Sequence, residues 1–198
     1  MEAVKAERIA RNVLSEQLVR ACQDGSTEAY RELYECYKAK VYSLALYMTG
    51  DSHIAEDLTQ EIFVKVFRDL PAFRFDASFS SWLYRVATNT CLNSLRGRRA
   101  RREVAIEAVA GTRQEFDPKE SLEDQEMRRQ VQRAVREAIL TLKPSLRVVV
   151  LLRYVEDLSY SDIGMVLSCS QGTVASRLSR AHRVLERKLK SLDWAGSL

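Results

Sequence analysis

A chain of 198 residues, 46% hydrophobic and 29% charged, with seven glycines and three prolines, has the composition of an ordinary globular protein and room for one domain or two small ones. Its formal net charge of +4 is too small to argue for or against a polyanionic partner, so the distribution of charge must carry that argument. The opening MEAVKAERIARN has no signal-peptide core and no apolar run approaches the roughly 20 residues of a membrane span, which points to a cytoplasmic protein without membrane insertion.

Scarce breakers and long 3.6-residue periodicities, with no alternating runs, predict an all-α chain. A first helix is expected from about Ser15 to Cys22, stopped by Asp24-Gly25. A second runs from Thr27 to Gly50 with Ala29, Leu33, Tyr37, Val41 and Leu44 on one seam, and Asp51-Ser52 supplies the turn and cap for a third. In that third helix Leu58, Ile62, Phe63, Val66, Phe67 and Leu70 form the buried face. The opposite stripe of Asp57, Gln60, Glu61, Val64 and Arg68 places one valine amid polar groups, as an interface residue would stand, although a lone exposed valine is also common.

Pro71 ends the third helix, and Phe73 to Phe79 reads as a loop with three aromatics. The helix that follows has two faces at 100° per residue: Trp82, Val86, Asn89 and Asn93 share a stripe flanked by Arg85 and Arg96, while Leu83, Tyr84, Ala87, Cys91 and Leu95 lie opposite. An indole plane, amides and positive charge together suit an unpaired nucleic-acid strand. A helix that buries Trp82 and leaves its arginines solvated fits the same spacing. Both readings stand at this point.

Arg96, Arg98, Arg99, Arg101 and Arg102 make a first basic run, and an acidic stretch with Glu115, Asp117, Glu120, Glu123, Asp124 and Glu126 follows. The apolar content falls from Gly111 and Asp117-Pro118 marks a break, so a flexible linker is expected at 103–125, between a domain at 1–102 and another at 126–198. The second domain opens on Met127, Val131, Ala134, Val135, Ala138, Ile139 and Leu142 at helical spacing. Pro144 suits the first turn of the next helix, whose stretch from Val148 to Tyr154 is apolar enough to require burial on several sides.

The last segment is a helix-turn-helix pattern. Ser159 can cap a helix over Tyr160–Leu167 with Asp162 in its first turn, Ser168-Cys169-Ser170 turns, and a long helix starts at about Gln171 with Ser170 as its cap. Val174, Leu178, Ala181, Leu185 and Leu189 face inward, whereas Ser176, Arg180, Arg183 and Arg187 face out, with Ser179 at the margin. Gly164 is small where the two helices would cross. The combination favours a helix presented to the major groove over a plain helical hairpin with a basic outer face.

Enzymatic chemistry finds no support. Cys22, Cys36, Cys91 and Cys169 are scattered singly, His53 and His182 lie in unrelated segments, and the glycines are dispersed, so no metal site, catalytic residue or cofactor is expected and the thiols should be reduced.

Three segments, AEDLTQEIFVKVFRDL at 55–70, FRFDASFSSWLYRVATNTCLNSL at 73–95 and LSYSDIGMVLSCSQGTVASRLSRAHRVLERKL at 158–189, resemble the extracytoplasmic-function group of bacterial sigma-70 factors. The resemblance implies a sigma-2 domain, a linker and a sigma-4 domain, and a subunit that directs core RNA polymerase to promoters and melts the -10 region, with no catalysis of its own. Asp57, Gln60, Glu61, Val64 and Arg68 would dock on the clamp helices of the beta-prime subunit, and the beta flap is a further expected contact. Phe73, Arg74, Phe75, Asp76 and Phe79 of the loop, with Trp82, Arg85, Asn89, Asn93 and Arg96, would open the -10 element and hold a flipped base. Ser170, Thr173, Ser176, Arg177, Arg180, Arg183 and Arg187 would read the -35 duplex, with Ser176 and Arg180 nearest the bases and Arg177, Arg183 and Arg187 on phosphates. The acidic linker would thread through the polymerase in place of nucleic acid, and an anti-sigma factor would occlude the polymerase-binding surfaces. Two positions depart from the family pattern: Ala175 stands where a basic residue is common, and Phe75 where glycine or a small residue is frequent. A stand-alone helix-turn-helix regulator is the competing reading; it accounts for 158–189 but leaves the aromatic loop and the Val64 stripe unused.

Overall fold

Side-chain caps set the N-terminal ends of several helices in the computed structural model, which describes residues 14–102 and 122–190, the side chains of 99–102 and 122–129 excepted. The first group of helices comprises α1 (14–23), α2 (Thr27–Thr49), α3 (Ser52–Asp69) and α4 (Phe79–Arg102); the second comprises α5 (Leu122–Leu140), α6 (Pro144–Tyr154), α7 (Tyr160–Val166) and α8 (Gln171–Lys190). No strand occurs among the described residues.

Ser26 caps α2 by accepting from the Ala29 amide at 3.2 Å, and Gly50 closes that helix at φ +80° with its N–H on the Leu46 carbonyl. Asp51 then caps α3 through Ile54 N–H at 3.1 Å, as its place after the glycine predicts. Such caps are worth about 1 kcal/mol each. A single 3-10 turn, Leu70–Ala72, carries Pro71 and ends the run. Phe79, expected in the loop, instead opens α4, because Ser78 Oγ accepts from the Ser81 amide at 3.2 Å and so starts the helix one residue after itself.

Packing follows the predicted seams. α2 packs against α3, and α4 against both, burying Leu33, Val41, Leu44, Ile62, Val66 and Leu83 to 1% exposure or less. Each such side chain contributes about 1.5–3 kcal/mol of burial. In the second group Val148 to Leu152 are all buried, because α6 is covered by α8 on one side and by α2 on another; Tyr154, at its end, is 62% exposed.

The two groups share one apolar cluster. Arg147 of α6 is buried at their junction, donating to the carbonyls of Met48, Leu140 and Leu142, while Tyr84 of α4 donates its hydroxyl to the Glu156 carboxylate beyond α6. Leu140 packs against Gly50 from the other group.

Most of the expected linker lies outside the described residues. Its end does not: α5 begins at Leu122, inside the predicted 103–125 segment. Leu, Glu, Gln, Met and Arg dominate the start of α5, and these are strong helix formers, so the helix begins ahead of the predicted boundary; the Asp117-Pro118 break lies outside the described residues.

Candidate nucleic-acid and polymerase interface

Three surfaces are assembled on this scaffold. The first is the outer face of α4. Leu83, Tyr84, Ala87 and Cys91 are buried beneath it, Leu95 is half-buried, and Arg85, Asn89, Asn93 and Arg96 are exposed, with Trp82 and Val86 half-buried between the two faces. Of the two readings the spacing allowed, Trp82 fits neither outright: it leans on Phe73 and Phe79, at ring-centroid distances of 5.2 and 5.8 Å, yet keeps part of its surface open beside the amides. Arg96 donates to Asn93 Oδ1 at 2.8 Å, which couples the last amide of the stripe to a cation.

The loop before α4 divides by exposure. Arg74 and Asp76 are exposed, Phe75 is half-buried, and Phe73 and Phe79 are buried at 9% and 2% exposure, so these two form the floor beneath the loop. Phe73 is the hub of that floor, meeting Phe75, Phe79 and Trp82. Phe75 sits at φ +61°, in the left-handed region where a bulky residue is a true outlier, at a cost of about 1–2 kcal/mol. Its ring lies 4.3 Å from the Arg20 guanidinium of α1. From the same helix Gln23 Nε2 donates to the carbonyls of Leu70 at 3.1 Å and Phe73 at 2.9 Å. Sequence reasoning missed both residues of α1; the one signal pointing to them was Phe75 itself, an aromatic at a position that calls for glycine and therefore needs support.

The second surface lies on α3. Asp57, Gln60, Glu61, Val64 and Arg68 are all exposed, and Val64 is 67% accessible. Glu61 pairs with Lys65 at 2.6 Å and Arg68 with Asp69 at 2.7 Å, so the valine is framed by charges that are satisfied locally. The hydrogen bond from Arg68 holds the Asp69 carboxyl below its usual range. Lys65 also reaches Thr90 Oγ1 at 3.2 Å, tying this stripe to α4.

The third surface is the helix-turn-helix. Ser159 and Asp162 form a reciprocal capping box on α7, and Ser170 Oγ caps α8 through Thr173 N–H at 3.2 Å while touching Thr173 Oγ1 at 3.0 Å. A Cβ placed on Gly164 would stand 2.7 Å from the Cys169 carbonyl oxygen, which is the close crossing that a small residue permits. Val174, Leu178 and Ala181 are buried under α8, and Leu185 and Leu189 are half-buried. Arg180, Arg183 and Arg187 are exposed on the outside, whereas Thr173, Ser176 and Arg177 are half-buried, with Ser176 Oγ bonded to the Thr173 carbonyl at 3.0 Å. The α4 stripe and the α8 stripe belong to different helical groups, and α7 packs against α4.

The helical chain thus carries an aromatic, amide and arginine stripe on one group and an arginine-faced helix-turn-helix on the other. Comparison with known proteins makes this specific. Residues 33–101 match Sigma-70 region 2, and residues 132–185 match Sigma-70, region 4. The RNA polymerase sigma-H factor of Pseudomonas aeruginosa is 36% identical over 183 residues, spanning 89% of this chain and 94% of that protein. The ECF RNA polymerase sigma factor SigW of Bacillus subtilis is 31% identical over 180 residues, spanning 88% and 96%. The fold is similar to that of CnrH in complex with the cytosolic domain of CnrY, with a TM-score of 0.67 and 21% identity over 89% of this chain and 97% of that one. It is also similar to that of RpoE in complex with the anti-sigma factor NepR from Bartonella quintana, with a TM-score of 0.65 and 21% identity over 83% and 98%. The chain belongs to the sigma-70 family, in its extracytoplasmic-function group, and is a transcription initiation factor rather than an enzyme.

Proposed function

We propose that this chain binds core RNA polymerase in the cytoplasm through the Val64 stripe of α3, selects promoters by two elements and melts the nearer one. The observation that carries the reading is the accessible Trp82–Asn89–Asn93 face of α4, set beside an aromatic loop and flanked by Arg85 and Arg96. A duplex hides base faces, so an indole and amides on an open face reward bases that have already left the stack. Extruding a base costs a few kcal/mol, and a surface that binds it only when extruded couples recognition to opening. In this reading Arg74, Asp76, Asn89 and Trp82 would touch the strand, with Phe73 and Phe79 buried beneath them and Phe75 in contact with Arg20.

On α8 the exposed arginines suit phosphates, which position the helix without specifying sequence; base reading falls to Arg180 and to groups near the N-terminal end, Thr173 and Ser176 among them. The exposed valine amid paired charges on α3 suits a protein surface, and the beta-prime clamp helices are its proposed partner, with the beta flap meeting the second helical group. The acidic segment between the groups would occupy a nucleic-acid channel of the polymerase. The similar fold of RpoE from Bartonella quintana has been seen in complex with the anti-sigma factor NepR, and an anti-sigma factor that covers these surfaces is proposed for this chain too.

The melting assignment is tested with Trp82→Ala and Asn89→Ala on ordinary and pre-melted promoter templates. Trp82→Ala should lose about fivefold to about 150-fold in initiation on duplex templates, as expected when ~1–3 kcal/mol of base stacking is removed, Asn89→Ala should also lose initiation there, and most of each loss should vanish on pre-melted DNA. Equal losses on both templates, or none, would show that α4 does not open the strands.

A further inference from the structure

The loop proposed to meet the promoter strand is braced from outside the segment that matches Sigma-70 region 2. The Sigma-70 region 2 match begins at residue 33, yet α1, at 14–23, makes the loop's most specific contacts. Gln23 and Arg20 stand three residues apart, on one face of the helix. Gln23 fixes the loop's entry by bonding the carbonyls on either side of Pro71-Ala72, those of Leu70 and Phe73. Arg20 lies over Phe75, the ring of the residue held at φ +61°. That ring also meets Phe73 at 4.9 Å, and Phe73 in turn meets Trp82. A continuous line of contacts therefore joins α1 to the aromatic face of α4.

We propose that Arg20 and Gln23 are positioning residues for strand recognition: α1 keeps Phe75 in its left-handed conformation and thereby sets which base the loop accepts. The inference rests on the reading that the loop meets the promoter strand. Arg74 and Asp76, the exposed neighbours of Phe75, take their direction from its backbone. Were Phe75 to relax to negative φ, the peptide planes on both sides would turn, both exposed side chains would be re-aimed, and Phe73 would shift under Trp82. Glycine at this position would reach the same conformation unaided. With phenylalanine there, the conformation depends on what holds the ring, which Arg20 and Phe73 both contact.

The test uses holoenzyme assembled from core polymerase and the full chain, transcribing a duplex library randomised across the promoter-proximal element. Base preference is read as the usage ratio of the best to the worst base at each position. Arg20→Ala should lower the ratio at the captured position about fivefold or more, while core binding and the thermal midpoint stay at wild-type values; in a Phe75→Gly background the same change should shift the ratio by less than about twofold. Gln23→Ala should flatten the preference in the Phe75 background as well. The salt dependence of DNA binding should not change with Arg20→Ala, whereas loss of a direct phosphate contact would lower the slope by about one. An unchanged ratio in Arg20→Ala overturns the proposal, as does an equal loss in both backgrounds, which would make Arg20 a DNA contact. Wild-type chain that starts no transcripts would instead defeat the underlying function, and the inference with it.

Discussion

Replacing Gly164 with alanine sets two backbone effects against each other. Within α7 alanine is the better helix former by about 0.8–1.0 kcal/mol, so the helix alone favours the substitution. The crossing opposes it: the added Cβ would lie 2.7 Å from the Cys169 carbonyl oxygen, with the Cys169 carbonyl carbon and the Gln171 nitrogen at 3.9 Å. The obstacle is backbone rather than a flexible side-chain end, and the turn is tied down by the Cys169 N–H on the Gly164 carbonyl at 2.9 Å and by Ser168 at φ +50°. Overpacking of this kind costs about 1–3 kcal/mol, and close backbone contact belongs at the upper end, leaving a net loss of about 1–2 kcal/mol after the helix gain. Urea unfolding of the full chain followed by far-ultraviolet circular dichroism measures this as a lower midpoint at unchanged slope. Binding to the duplex upstream element should fall too, because the turn sets the angle at which α8 leaves α7. An alanine variant as stable as the wild type, or more so, would refute the close-crossing argument.

Other sites yield simpler expectations. Ser159→Ala removes one half of the capping box and should cost about 1 kcal/mol in the same unfolding assay. Burial pushes the Glu156 carboxyl above its ordinary 4.5, against the opposing pull of the Tyr84 hydrogen bond and the Lys40 charge. A raised carboxyl contributes its stability below the unfolded value and loses it as the pH climbs through the folded value, so ionising Glu156 disfavours the fold. Glu156→Gln keeps an acceptor for Tyr84 and should be more stable near neutrality, the advantage shrinking as the pH falls towards 4.5; an advantage that grows on acidification would reverse the sign of the argument. Burial, with a smaller contribution from Glu61, pushes the Cys91 thiol up to about 12, and burial raises Cys22 as well, whereas Cys36 is exposed. Iodoacetamide near neutral pH should therefore label Cys36 first and reach Cys22 and Cys91 only in denaturant, as read by peptide mass mapping.

Helical periodicity was enough to locate most of what matters here. The two faces of α4, the Val64 stripe and the capping chemistry of the helix-turn-helix all follow from local spacing, and Gly164 announced its crossing because no other residue in α7 is small enough. What periodicity could not show was contact between distant segments. Phe73 and Phe79 looked like loop aromatics available to DNA, but tertiary packing sinks them, and Phe79 belongs to α4. Arg147 owes its burial to long-range contact, with the carbonyls of Met48 and Leu142 accepting from its guanidinium. Arg20 and Gln23 carry no motif of their own. Their place became visible once the left-handed backbone of Phe75 had to be held by something.

If this chain tells core polymerase where to start, the start sites of genomic transcription will depend on it. Core enzyme should be mixed with genomic DNA, with and without the full chain, and the 5′ ends of all transcripts sequenced. Chain-dependent starts should appear at a discrete set of positions, each preceded by the same two sequence elements at constant spacing, and should disappear with Val64→Glu, which puts a charge into the proposed polymerase contact. Start sites that are the same with and without the chain, or chain-dependent starts that share no upstream elements, would contradict the account.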